Sequence, residues 1–194
     1  MSGGRESTGM TLRALDLVAA TTGLLVLSPV LAVTAVMVKV TSPGPAFFVQ
    51  PRVGRKERRF HCIKFRTMAV GAPVAGTHEV SASYVTALGR TLRRFKIDEL
   101  PQLLNVLRGE MSIVGPRPCL PSQVELIEER RKRGVFEARP GITGPAQVKG
   151  VDMSVPAELA ELDQTWVRRP TLGGYVTCIF QTLIGGGSGD RVRE

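Results

Sequence analysis

Two adjacent carboxylates, Asp98 and Glu99, open the stretch DELPQLLNVLRGEMSIVGPRP. Arg90, Arg93, Arg94 and Lys96 lie just upstream, and Arg117 stands between Pro116 and Pro118 downstream. Pro101 suits the first turn of a helix, where its missing N–H costs nothing. That puts Asp98 and Glu99 at or just before a helix start. Two readings of the pair stand side by side. Carboxylates favour helix starts for structural reasons alone, by capping free N–H groups and facing the dipole. The same surroundings hold a carboxylate ionised, as a nucleophile or metal ligand needs, and they attract phosphate. Adjacent carboxylates beside a pyrophosphate are a natural Mg²⁺ site. An arginine stiffened by flanking prolines can grip phosphate with paired hydrogen bonds, or simply occupy a surface turn. In KFRTM, Lys64 and Arg66 fall on one side of a strand and Phe65 on the other, which serves a phosphate or marks a wet face.

The chain that must position these groups has 194 residues, enough for one compact domain with attachments. Its net charge of +9 attracts polyanions: nucleic acid, anionic lipid or phosphorylated small molecules. Aromatic residues make up only 5%, which argues against stacking on single-stranded nucleic acid. Cys62, Cys119 and Cys178 are odd in number and form no CxxC, so neither a zinc site nor a disulfide framework is expected, and a reducing compartment fits. His61 and His78 cannot alone build a metal cluster.

From Leu17 to Val38 the chain carries no charge. As a straight helix this run would reach roughly 33 Å, enough to cross a bilayer. A cleavable leader, with Ala32 to Ala35 as a small-residue site, and a spanning anchor are two readings. A re-entrant hairpin is the third, and two features favour it. Pro29 removes the hydrogen bond to the Leu25 carbonyl, and Ser28 can bond a nearby carbonyl and ease the break. Both flanks are basic, with Arg5 and Arg13 before and Lys39, Arg52, Arg55, Lys56, Arg58 and Arg59 after, so both ends prefer the cytoplasm.

Residues 1–11 read as a flexible polar tail, 12–40 as the membrane segment, 41–184 as the catalytic domain and 185–194 as a disordered tail. AFFVQ and the stretch 56–68 read as two strands of a hairpin. Residues 69–83 read as a flexible loop, and 84–95 as a basic helix. Residues 99–110 read as a short helix with Leu100, Leu103, Leu104 and Leu107 on one face. VGPRPCLP reads as a rigid loop. Ser122 with Glu125 reads as a capping box opening a helix that ends in Arg130 to Arg133. RPGITGPAQVKG reads as a loop holding a short strand, 156–168 as a helix, and 172–184 as an apolar helix in the core or at a bilayer surface.

Taken in order, the Ser-Pro apolar segment, TSPGPAFFVQPRVGR, KFRTM, LGRTLRRFKIDELPQLLNVLRGEMSIVGPRP and RPGITGPAQV resemble the bacterial sugar transferase family, the monotopic phosphoglycosyl transferases. The likeness runs from about Leu12 to Leu183, and the stretch around the dyad is highly specific. It implies an α+β fold: a re-entrant membrane helix broken at Ser28 and Pro29, interfacial amphipathic helices, and a small domain of helices with a β-hairpin. It implies transfer of a sugar 1-phosphate from a nucleotide sugar, usually a UDP-sugar, to polyprenyl phosphate. Asp98 is the implied nucleophile, forming an acyl phosphate with the sugar phosphate. Glu99 is the implied partner in catalysis, and both carboxylates are implied Mg²⁺ ligands. Lys64, Arg93 and Arg117 match basic family positions near phosphate; Arg66 and Gln147 complete the expected substrate-binding set. The implied setting is the cytoplasmic leaflet of the bacterial inner membrane, with a homodimer allowed and no nucleic acid.

The chain departs from the family pattern. Lys149-Gly150-Val151 replaces the usual Asn-Gly-Arg, Ala82-Ser83-Tyr84 replaces Asp-Pro-Arg, and Lys96 replaces Ser or Thr. Two other classes compete: a membrane-anchored nucleic-acid binder, which rests on charge, and a catalytically silent scaffold, which rests on Val151. Salt-dependent DNA binding without sugar-nucleotide turnover would mark the first.

Overall fold

The computed structural model of the protein describes residues 3–73 and 81–185. Part of the loop expected at 69–83, and the tail expected after Gly185, lie outside the described residues.

Two helices lead the chain. α1 spans Gly3–Val26 and α2 spans Ser28–Thr41, with a break at Leu27. The break has a local cause. Pro29 has no N–H to give the Leu25 carbonyl, and the Ser28 hydroxyl donates to that same carbonyl at 2.8 Å. The residues expected as a loose tail, 1–11, are instead helical from Gly3 onward. No proline interrupts them, and each residue added to a formed helix gains one bond. α1 is the one described helix long and apolar enough to cross a membrane, from Thr8 to Val26. Leu25, Val26, Val33, Val36 and Val40 are all exposed, and exposed apolar patches mark interaction surfaces.

The expected hairpin follows. β1 (Phe47–Val53) pairs antiparallel with β2 (Arg59–Phe65) in the register Phe47 to Phe65 and Val53 to Arg59. α3 (Ala87–Arg94) opens with Thr86 accepting from the Gly89 N–H, and α4 spans Gln102–Leu107. The sequence pattern put Leu100, Leu103, Leu104 and Leu107 on the inner face. The structure buries Gln102, Leu103, Asn105 and Val106 and leaves Leu104 and Leu107 exposed. The reason is a polar docking. Asn105 donates to the His61 carbonyl at 2.7 Å and accepts from the Ile63 N–H at 3.1 Å, satisfying the outer edge of β2.

A second pair of strands was not legible. β3 (Ser112–Val114) runs parallel to β4 (Gly141–Thr143). Three residues show no period, and the pairing depends on close backbone approach. A Cβ on Gly141 would strike the Gly115 nitrogen, and one on Gly144 the Gly115 carbonyl. Between these strands α5 spans Val124–Lys132. The capping box at Ser122 does not form, because the Gln123 side chain turns back to accept the Leu120 N–H at 2.8 Å and the helix starts after it. α6 (Pro145–Val148), α7 (Pro156–Arg168) and α8 (Leu172–Leu183) complete the chain. α8 buries Tyr175 and Cys178 and exposes Leu172, Val176, Phe180 and Leu183.

One buried carboxylate ties α1 to the rest. Asp16 Oδ1 accepts from the Tyr175 hydroxyl at 2.9 Å, the Ser112 hydroxyl at 3.0 Å and the Ile113 N–H at 2.9 Å. One turn earlier, Arg13 donates to the carbonyls of Val106 and Met111 at the end of α4. Burial, and then the Asp16 charge, push the Tyr175 phenol up, so it remains a donor at neutral pH. Asp16→Ala strands these buried donors. It should cost at least about 3 kcal/mol, since each buried group left unpaired costs roughly 1–3 kcal/mol. Asp16→Asn, which keeps an acceptor, should cost clearly less in denaturant melts of detergent-solubilised protein. Equal melts for wild type and Asp16→Ala would remove this junction from the account.

Candidate active site

The dyad sits in a 3₁₀ turn, Ile97–Glu99, between α3 and α4. Lys96 enters the turn with φ of 56°, the left-handed region, and the Leu100 N–H bonds the Ile97 carbonyl. Pro101 then starts α4 with φ of −60°. The expected helix start is therefore present, but α4 has only six residues. Its dipole is a small part of the local field, and side-chain cations do more.

Those cations converge on Glu99. Lys64 Nζ on β2 lies 2.9 Å from Glu99 Oε1, and Arg117 Nη2 lies 2.7 Å from the same oxygen. All three side chains are largely withdrawn from solvent, and the adjacent Asp98 is only 5% exposed. Lys64, Arg117 and Arg52 are close enough for their charges to pull the buried Cys62 thiol down. Burial is the larger effect and pushes it up. The structure thus brings together Asp98, Glu99, Lys64 and Arg117 from three separate stretches of sequence.

The Pro116-Arg117-Pro118 loop is held on three sides. The Gly141 N–H bonds the Pro116 carbonyl at 2.9 Å, and Arg52 donates to the Pro118 carbonyl at 3.0 Å. Arg130 donates to the Arg117 carbonyl at 2.7 Å. Arg130 is itself clamped by Asp163 Oδ2, at 2.9 Å from Nε and 2.6 Å from Nη2, with both side chains 2% exposed. Burial pushes the Asp163 carboxyl up while the Arg130 charge pulls it back. The sequence marks Arg130 only as part of the basic end of a helix and gives Asp163 no role. The faint signal was one acidic residue inside the helix 156–168 that shares its buried side with Leu159 and Trp166.

The remaining expected residues divide. Arg93 on α3 donates from Nε to Thr67 Oγ1 at 2.9 Å, while its Nη1 is buried without a partner among the described residues. Gln147 is buried, donates to the Ile142 carbonyl at 3.0 Å and leaves Oε1 without a partner among the described residues. Gln102, which the sequence reading passed over, leaves Nε2 buried and unpaired one residue after Pro101. Buried polar atoms of this kind are costly unless a ligand or water satisfies them. Arg66 does not take the phosphate-binding place expected for it. Its guanidinium is spent on the carbonyls of Val38, Ser42 and Pro43 at the end of α2. There it satisfies the free carbonyls of a helix terminus. Val151, where the family pattern has arginine, packs against the core around Val53, Cys119 and Leu159.

The carboxylates fit a divalent cation in one mode. No group of three or more His, Cys, Asp or Glu side chains is assembled among the described residues. A closed protein cage is therefore not offered. Asp98 and Glu99 supply hard oxygen donors, which suits Mg²⁺ held through one or two carboxylates and completed by substrate phosphates and water.

The family profile described as bacterial sugar transferase matches residues 7–186. The chain is 45% identical over 88% of its length to the undecaprenyl-phosphate glucose phosphotransferase of Komagataeibacter xylinus, covering 35% of that protein. It is 34% identical over 90% of its length to the exopolysaccharide production protein ExoY of Rhizobium meliloti, covering 84% of it. It is also 39% identical over 84% of its length to the UDP-glucose:undecaprenyl-phosphate glucose-1-phosphate transferase of Caulobacter vibrioides, covering 66% of it. The chain thus spans about a third of the first of these proteins and more of the other two.

Asp163→Ala should leave Arg130 as an uncompensated buried charge and cost about 3–5 kcal/mol of stability. Chemical denaturation is the measurement. A loss under about 1 kcal/mol would show that the Arg117 loop does not depend on this pair.

Proposed function

Since the chain belongs to the bacterial sugar transferase family, we propose that it transfers a sugar 1-phosphate from a UDP-sugar to undecaprenyl phosphate at the cytoplasmic face of the inner membrane. The observation that carries this reading is the Glu99 carboxylate gripped by Lys64 and Arg117 beside the buried Asp98. The printed names of the relatives supply the substrate classes.

The chemistry asks for two things: a positioned nucleophile and neutralised phosphate charge. Asp98 is the nucleophile. Its carboxylate oxygen attacks the phosphorus that carries the sugar, the bond from that phosphorus to the bridging oxygen breaks, and uridine monophosphate leaves with that oxygen. An oxygen of the acceptor phosphate then attacks the same phosphorus, and the Asp98 oxygen departs as carboxylate. Lys64 and Arg117 orient Glu99 and face the phosphates. Arg93, through Nη1, and Gln147, through Oε1, would take polar groups of the donor; both atoms are buried without a partner among the described residues. Asp98 and Glu99 would hold Mg²⁺, which when bound neutralises diphosphate oxygens.

The apolar arms support a re-entrant course. From Leu17 to the break at Leu27, α1 advances about 15 Å, and α2 runs a similar length before Lys39. Each arm equals half of a hydrocarbon core about 30 Å thick. Charged residues flank both outer ends, which keeps both on the cytoplasmic side.

Two measurements test this. Purified protein with undecaprenyl phosphate, Mg²⁺ and a panel of UDP-sugars should release uridine monophosphate with at least one donor. Release should fall by at least about 10³-fold in Asp98→Asn and stop in EDTA, as expected when a nucleophile or its charge partner is lost. Turnover by Asp98→Asn at the wild-type rate would remove it as nucleophile. Replacing Ser28 and Pro29 together by alanine should straighten the segment and move the N-terminus across the membrane. If cysteine labelling still reports a cytoplasmic N-terminus, the break does not set topology.

A further inference from the structure

Lys64 has an aromatic neighbour that no step above uses. In the antiparallel register Phe48 stands directly opposite Lys64. Directly opposed residues share a face of the hairpin, with Cβ atoms about 5 Å apart. The Phe48 ring therefore lies beside the cation that grips Glu99, yet it is 38% exposed. Its flanking residues on β1, Phe47 and Val49, are also exposed.

The opposite face of the hairpin shows where this end of it sits. Phe65, the neighbour of Lys64, is fully buried, stacks on Phe47 at 5.2 Å and packs with Val38, Leu31 and Ala35 of α2. The open end of the hairpin thus rests on the returning arm of the membrane segment. At this end of the hairpin Phe47 faces the α2 side and Phe48 the side of Lys64, and both rings are exposed, as are Val36 and Val40 of α2. A phosphate attached to a long apolar chain needs such surfaces near one another: hydrocarbon, then an apolar ring, then a cation beside it.

We propose that Phe48 is the contact for the first isoprene units of the lipid acceptor, at the point where its chain leaves the bilayer and its phosphate reaches Lys64. This rests on the transfer reaction proposed above. A nucleotide base is the other group a ring can stack on. It arrives from water, and its polar edges gain nothing from an apolar ring at the end of the hairpin that rests on α2. The lipid reaches the site from the apolar helices, and Phe48 stands at the end of the hairpin nearest them.

The test separates the two half-reactions. Without acceptor, the protein should release one burst of uridine monophosphate from a UDP-sugar; with undecaprenyl phosphate it should turn over. In Phe48→Ala the KM for undecaprenyl phosphate should rise roughly tenfold, the factor that about 1.4 kcal/mol of apolar contact represents. The burst with donor alone should keep its amplitude and rate. Phe48→Leu should recover most of the loss, because it restores apolar area without a ring. A burst lost in proportion would mean that the ring serves the donor, and an unchanged KM would mean that it serves neither; either overturns the proposal. Thermal stabilisation of the protein by undecaprenyl phosphate, with no donor present, reads acceptor binding without chemistry. A wild-type shift that disappears in Phe48→Ala supports the contact even if no donor is turned over, in which case the transfer reaction fails and the contact stands. No shift in the wild type overturns the contact.

Discussion

A single carboxylate oxygen, Glu99 Oε1, is shared by two cations that arrive from opposite sides. Lys64 comes from the hairpin and Arg117 from the proline-flanked loop, so their meeting fixes the distance between three otherwise separate pieces. Such a cluster is stable only if every member is held, because removing one partner leaves charge in a poorly solvated place. The surrounding architecture supplies that holding. Asn105 fastens the helix behind the dyad to the edge of β2. Arg52, Arg130 and the β3–β4 pair fasten the loop.

The same logic links the site to the two leading apolar helices. The proposed reaction between a soluble donor and a lipid would need the catalytic groups at a set height above a bilayer. Asp16 bolts the outgoing arm to β3 and α8, and Arg13 ties it to the end of α4. Arg66 and the buried Phe65 bind the returning arm. Polar groups close to the apolar segment are costly unless paired, so each of them is consumed by a specific partner. The apolar side chains of α1, α2 and α8 that point away from these contacts stay exposed.

What could be read along the chain were features whose cause is local. Pro29 and Ser28 announced the break, since a missing N–H and a spare hydroxyl act within one turn. Alternating residues around Lys64 announced a strand, and the seven-residue ladder with β1 is there. The dyad, Pro101 and the paired prolines announced a charged cluster at a helix start, and Lys64 and Arg117 meet Glu99 there. Arg66 was misread for the same reason: alternation gave it the face of Lys64, but the strand ends at Phe65 and the chain turns its guanidinium onto the end of α2.

By itself the sequence determined the family, the break in the apolar segment and the carboxylate pair near a helix start, because these follow from residue type and short spacing. Only the tertiary structure decided which cations reach Glu99, that Arg130 and Asp163 stand behind Arg117, that Gln102 and Asn105 face inward while Leu104 and Leu107 face out, and that Phe48 borders Lys64. These contacts join residues well apart in sequence, from 13 positions for Arg117 and Arg130 to 44 for His61 and Asn105, and such a contact exists only when backbone pairing and burial close the loop between them. The periodicity of α4 alone could not foresee that an asparagine would be buried to satisfy a strand edge.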